Sequence, residues 1–176
     1  MSARGDWIQT ATGRQFWPMD PRPHEVYIDD IAHALSLLCR FGGHCLRFYS
    51  VAEHCVLLSR IAPAPYKLWA LLHDASEAYL VDVPRPLKPF LGGYNEAEDK
   101  IMRAIAFRFH LHLGMPDQVK RLDRAILMDE RLQNMAEAPI AWSTDCEPLG
   151  IDLQFWSPER ARAEFLAAFE SLGGRA

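Results

Sequence analysis

Two histidines and two aspartates fall in an order that could hold a divalent cation: His54, the adjacent pair His73-Asp74, and Asp123. His54 sits one turn into a helical segment, with Val51, Leu57 and Leu58 as its one-turn neighbours, so it faces inward. A core histidine satisfied by hydrogen bonds is the plainer reading of that position. His73 and Asp74 point about 100° apart on a helix, so both reach one ion only if it lies against the helix between them. Glu77 follows on the same side, and one helix thereby presents an imidazole and two carboxylates to a common space. A solvated polar face is the alternative; Leu71 and Leu72 immediately before the pair count against it. Asp123 has Val119, Leu122, Ile126 and Leu127 at one-turn distances. A carboxylate in such a ring costs several kcal/mol unless it is paired or coordinated. A salt bridge to Lys120, Arg124 or a cation on another helix would satisfy it, as would a metal. Two imidazoles and two carboxylates suit Mn²⁺, Fe²⁺, Co²⁺, Ni²⁺ or Zn²⁺. Such a set leaves positions for water and a phosphate oxygen, the arrangement that polarises a phosphoryl group.

A rival metal set uses softer ligands: Cys39, His44, Cys45, His54 and Cys55. Thiolates favour zinc. The two His/Cys neighbour pairs lie on different elements, however, and no Cys-x-x-Cys spacing is present. Asp82 lies in a proline-rich stretch and reads equally as a turn residue or a second carboxylate near the centre. Arg85 and Lys88 follow it and read as surface residues or as local positive charge for a phosphate. Pro86 between them would be a rigid border to whatever that charge binds.

These residues need helices to position them. Ile31, Ala34, Leu35 and Leu38 give an apolar stripe from Asp29, with Asp29 or Asp30 as cap and Gly42-Gly43 as stop. Ser50-Val51-Ala52-Glu53 has the capping-box form and starts a helix to about Ile61. A third helix is expected from Pro65 to Leu80, a fourth from Tyr94 to Phe109, and a fifth after Pro116. Residues 138–156 read as loop with a possible short strand. Ser157-Pro158-Glu159 opens a last helix, ended by Gly173-Gly174. Before them, two short strands around Ala11-Thr12-Gly13-Arg14 predict a hairpin or ordered arm. The expectation is one all-α domain, a compact bundle of five to six helices over residues 1–176: an arm at 1–28, a core at 29–137, and a loop and helix at 138–176.

Composition narrows the function classes. The chain has 176 residues, 49% of them hydrophobic and 24% charged, which is an ordinary globular balance. A formal charge of −4 argues against a broad nucleic-acid surface. No apolar run reaches membrane-span length, and the first residues lack a signal-peptide core. A cytoplasmic protein with its four cysteines reduced, bound neither to membranes nor to nucleic-acid polymers, is expected.

The run His73-Asp74-Ala75-Ser76-Glu77, followed by Asp82-Val83-Pro84-Arg85-Pro86-Leu87-Lys88, resembles the HD-domain phosphohydrolases. It is closest to their bacterial 5′-deoxynucleotidase branch and to a phage branch that removes triphosphate from dATP. Ser50-Val51-Ala52-Glu53-His54 and Val119-Lys120-x-x-Asp123 fit the same pattern, and the similarity covers roughly residues 37–135. The resemblance implies that His54, His73, Asp74 and Asp123 hold one divalent metal ion per subunit (Co, Mn, Zn, Fe, Ni or Mg). It implies that Glu77 and Asp82 orient or deprotonate the attacking water. Arg40-Phe41 stands where the deoxynucleotidases carry Arg-Trp, which implies Arg40 on the phosphate and sugar and Phe41 on the base. Phe41 in place of Trp is a departure from that branch. Gly42-Gly43 is a departure from the phage enzymes, which place a bulky apolar residue nearby. Gly43 and His44 would then border the substrate.

The resulting expectation is a metal-dependent phosphohydrolase acting on the 5′-phosphoester of deoxyribonucleotides. Its products would be a deoxynucleoside with phosphate or with triphosphate, and relatives of this kind imply a homo-oligomer, a dimer or hexamer. A triphosphate would call on Arg14, Arg22, Arg40, Arg47, Arg85 and Lys88. Two alternatives stand beside this: a non-catalytic nucleotide- or metal-binding module, and a phosphodiesterase for RNA or cyclic nucleotides, against which the lack of a basic-aromatic platform weighs.

Overall fold

The structure, a computed structural model, describes residues 4–140, 142 and 146–174. Among them the chain is all-α, with seven helices: α1 (Ile28–Leu37), α2 (Val51–Ile61), α3 (Lys67–Leu72), α4 (Glu77–Leu80), α5 (Tyr94–Arg108), α6 (Asp117–Asn134) and α7 (Pro158–Ser171). The only sheet among the described residues is a hairpin, β1 (Ile8–Gln9) against β2 (Gln15–Phe16), in the expected arm. No helix among them is long and apolar enough to cross a membrane.

The middle of the bundle is α2. Every residue from Val51 to Ser59 is buried, and α1, α3, α6 and α7 pack around it. Its start follows from the sequence: the Ser50 hydroxyl accepts from the Glu53 N–H at 3.1 Å. Glu53 does not return the cap. Its carboxylate instead accepts the backbone N–H groups of Gln154, Phe155 and Trp156 at 2.7–2.8 Å. Asp129 on α6 does the same for Leu149, Gly150 and Ile151. These carboxylates hold residues 149–156 against the bundle, and among the described residues of 138–156 there is no strand. Ser157 then caps α7, as its position before Pro158 predicts.

Two helices depart from their expected limits. The first begins at Ile28 without a side-chain cap and stops at Leu37, before Gly42-Gly43. Asp30 is buried and accepts from the N–H and hydroxyl of Thr12, pinning the hairpin to α1 rather than capping it. The chain past Leu38 is extended because Cys39 bridges to Ser50 as a β-pair. The third expected helix is broken into α3 and α4. Between them the bonds run over three residues instead of four: Ala75 N–H to Leu72, Glu77 to Asp74, Tyr79 to Ser76. Such tight winding brings side chains three apart into line, which sets Asp74 and Glu77 on one side.

Candidate metal centre

His54 on α2, His73 at the end of α3, Asp74 just beyond it and Asp123 on α6 converge. The two Nε2 atoms lie 3.2 Å apart. Asp74 Oδ2 is 3.2 Å from His73 Nε2 and 3.7 Å from His54 Nε2. Asp123 Oδ1 is 3.2 Å from His54 Nε2 and 3.5 Å from His73 Nε2. Atoms that share an ion at about 2.1 Å stand about 3.0 Å apart at neighbouring octahedral positions and about 3.4 Å apart in a tetrahedron. Three of the five separations, each 3.2 Å, fall in that interval, and those at 3.5 and 3.7 Å lie just above it. His54, His73 and Asp123 form a group that could hold a metal ion.

The hydrogen bonds on the far sides of the rings make the case for a cation. His54 Nδ1 donates to Glu130 at 2.7 Å, and His73 Nδ1 donates to the Ala70 carbonyl at 2.8 Å. Each ring therefore commits its neutral-state proton to Nδ1 and turns the Nε2 lone pair inward. Two lone pairs and two carboxylates then face one another with no donor among them. Such a set of bases stays together only around a positive charge. Without a metal the charge is a proton. Burial opposes protonating His73, yet Asp74 and Asp123 push its pKa well above the usual histidine value. Burial likewise opposes ionising Asp123, but the two imidazoles hold it well below the carboxylate range. Asp123 keeps 35% of its side chain exposed and borders a cavity, so the apolar ring its neighbours suggest is open on that side.

Around this centre lies a charged support. Glu130, fully buried on α6, bonds His54 with one oxygen and Arg40 with the other at 2.9 Å. The Arg40 guanidinium also stands 3.6 Å from Asp74 and is 7% exposed. Arg40, expected on the phosphate, is thus turned to two carboxylates of the centre. Glu130 is the residue sequence reading missed. Its signal was its place two turns after Asp123, on the same face of one helix.

The remaining candidates divide. Glu77 is buried, and its Oε2 has no hydrogen-bond partner. Burial, then Asp74 and Asp82, drive its pKa well above the carboxylate range. Asp82 is half-buried; burial raises its pKa while Arg40 lowers it. Lys88 is half-buried, bonds Glu98 at 2.9 Å, and borders a cavity of about 540 Å³ with His73, Asp74, Asp123, Trp69, Met102 and Met115. Arg85 and Pro86 are exposed on the same loop. Phe41 is half-buried, with Trp142 6.3 Å away, centroid to centroid. The neighbouring turn meets the loop, since a Cβ on Gly42 would lie 3.9 Å from Pro84; Gly43 faces open space and His44 is exposed.

The soft-ligand set does not assemble. Cys39 and Cys45 sit together, while His54 faces the other centre. Cys55 packs behind His73 at 3.9 Å from Nδ1, where burial pushes its thiol up to about 11.

No protein-family model matches the chain. The Escherichia coli protein YfdR, named as uncharacterized, is 42% identical over 125 residues, 71% of this chain and 70% of that protein. The uncharacterized protein RCAP_rcc00048 of Rhodobacter capsulatus is 37% identical over 129 residues, 68% of this chain and 66% of that protein. Neither name assigns an activity. On the extent and identity of the first match, the chain belongs to the family of Escherichia coli YfdR.

Proposed function

We propose that this chain is a metal-dependent phosphohydrolase of the HD-domain type that cleaves the 5′-phosphoester of deoxyribonucleotides, with the monophosphate as the favoured substrate. The observation that carries the reading is the pair of inward Nε2 lone pairs facing Asp74 and Asp123 at the wall of a cavity that also reaches Lys88. His54, His73, Asp74 and Asp123 would hold one divalent ion, drawn from Co, Mn, Zn, Fe, Ni and Mg. When bound, such an ion polarises the phosphoryl group and eases ionisation of water.

The chain's own residues supply the rest. Arg40 and Glu130 keep the ligands aimed, so little reorganisation accompanies the reaction. Asp82 would take a proton from the attacking water. Glu77, whose burial favours its neutral form, would give one to the leaving 5′-oxygen as the phosphorus–oxygen bond breaks. Trp69, Met102 and Met115 offer an apolar wall to the nucleoside, and Lys88 a cation to the phosphate.

The cation inventory favours a monophosphate. Of the five arginines a triphosphate would call on, Arg14 lies 3.9 Å over the Tyr27 ring, Arg47 lies 3.3 Å over Phe155, Arg22 pairs with Asp20, and Arg85 stands exposed on the loop. Arg40 is engaged with Glu130.

The test incubates purified protein with dAMP and with dATP, each with Mn²⁺ or Co²⁺, and identifies products by mass. Deoxyadenosine and phosphate from dAMP are expected. Deoxyadenosine with intact triphosphate would transfer the reading to dNTPs. Nucleotide binding with metal present and no turnover would reduce it to a binding module.

A further inference from the structure

The turn that carries Arg40 is flanked by two thiols. Cys39 Sγ and Cys45 Sγ lie 3.4 Å apart, and both residues are half-buried. The chain reverses between them through three successive residues of positive φ, Phe41 at 57°, Gly42 at 59° and Gly43 at 82°. Both ends of the segment are tethered. Arg40 N–H donates to Tyr49 at 2.9 Å, and Leu46 N–H donates to Asn134 at 2.8 Å. Burial and the bond from Cys39 raise the Cys45 thiol, so the pair rests as a dithiol. A disulfide has an S–S length of about 2.05 Å, so closure needs about 1.4 Å of approach.

We propose that Cys39 and Cys45 form a reversible disulfide that tightens the Arg40–His44 turn and so couples the metal centre to thiol redox state. The oxidant is a small disulfide of the glutathione class. One cysteine thiolate attacks it and releases one thiol; the second cysteine displaces the other. Two protein S–H groups are lost, one protein S–S bond forms, and the oxidant leaves as two reduced thiols. With the ends of the segment tethered, the part free to move is the turn itself. Arg40 adjoins it as the tethered residue beside Cys39, so the strain of closure falls on Arg40, whose guanidinium bonds Glu130 and faces Asp74. Displacing it loosens the support of His54. The bond itself does not depend on what reaction the centre performs.

The experiment equilibrates full-length protein in glutathione redox buffers, traps free thiols by alkylation and digests with trypsin. Cleavage after Arg40 leaves Cys39 and Cys45 in separate peptides, joined only if the bond exists. The expected result is that joined pair, a 2-Da loss in the intact protein, reversal by reductant, and absence from Cys39→Ser and Cys45→Ser but not from Cys146→Ser. All thiols remaining open to alkylation throughout, or a bond that needs Cys146, would overturn the proposal. Co²⁺ titration of the two forms supplies the second readout. The oxidised form should bind about tenfold more weakly, the size of effect outer support has on metal sites, and Cys45→Ser should not respond to the oxidant. Equal affinity in both redox forms would overturn the coupling.

Discussion

His73 and Lys88 border the same cavity, but they are held in opposite ways. His73 is buried at the end of α3, its Nδ1 fixed to Ala70 and its Nε2 facing three other ligand atoms. Lys88 stands on a loop whose residues are largely exposed, with Phe90 84% exposed beside it, and its ion pair to Glu98 is itself about a quarter exposed. The centre is built before any ligand arrives, by helices whose burial fixes ring orientation. The loop presents charge that is free to adjust. A site divided in this way would keep metal geometry constant while substrate contacts vary.

The largest break falls on the fixed side. Asp123→Ala removes a candidate ligand that is part-exposed, so the fold should survive. Co²⁺ affinity should fall by more than about 100-fold, beyond the usual effect of an outer partner, and turnover should drop to background. Retained tight binding in a folded variant would remove Asp123 from the ligand set.

Glu77 sharpens the boundary between holding metal and doing chemistry. Glu77→Gln should lower turnover by about 10²–10⁴-fold, the range for a lost proton-transfer group, and leave Co²⁺ affinity unchanged. It should also stabilise the metal-free protein. The folded pKa of Glu77 lies above its unfolded value of about 4.5, because burial and two carboxylates oppose its charge. The folded state thus binds more protons, and stability falls as pH rises from about 4.5 toward the folded value. Melting curves should show the variant gaining on the native protein at pH 7 and not at pH 4. A constant difference across that range would assign the gain to packing instead.

Glu130→Gln comes next, with Co²⁺ affinity lower by about 10–100-fold. The amide keeps one contact to His54 but removes the charge opposite Arg40, so the melting temperature should fall as well. Weakened binding with Arg40→Lys would place both residues in one network.

How much of this the chain announces depends on distance along it. The α2 start was legible because Ser50 and Glu53 are local, and the grouping of His54, His73 and Asp123 was legible because His and Asp in apolar company are unusual. Glu130 was not. In the run Asp129-Glu130-Arg131 it reads as a solvated face, and its burial is explained by His54 and Arg40, 76 and 90 residues away. Asp129 is hidden in the same way by its bonds to residues 149–151. The break between α3 and α4 carries no glycine or proline, so periodicity ran one helix straight through it. Residues 149–156 lack strand periodicity because carboxylates, not a neighbouring strand, satisfy their backbone.

The smallest effect belongs to the loop. Lys88→Ala deletes a part-exposed pair that contributes about 0–1 kcal/mol, so stability should scarcely change. Its charge matters only once a phosphate is present. KM for dAMP should rise several-fold with Co²⁺ affinity intact, whereas any loss there would mean that Lys88 supports Asp74. The same substitution should weaken inhibition by inorganic phosphate in parallel, and addition of salt should narrow the difference between variant and native protein, since a charge at the cavity edge is screened as a buried one is not. Persistence of the full difference at high salt would place Lys88 with His73, among the groups shielded from solvent, and would erase the division between the two halves of the site.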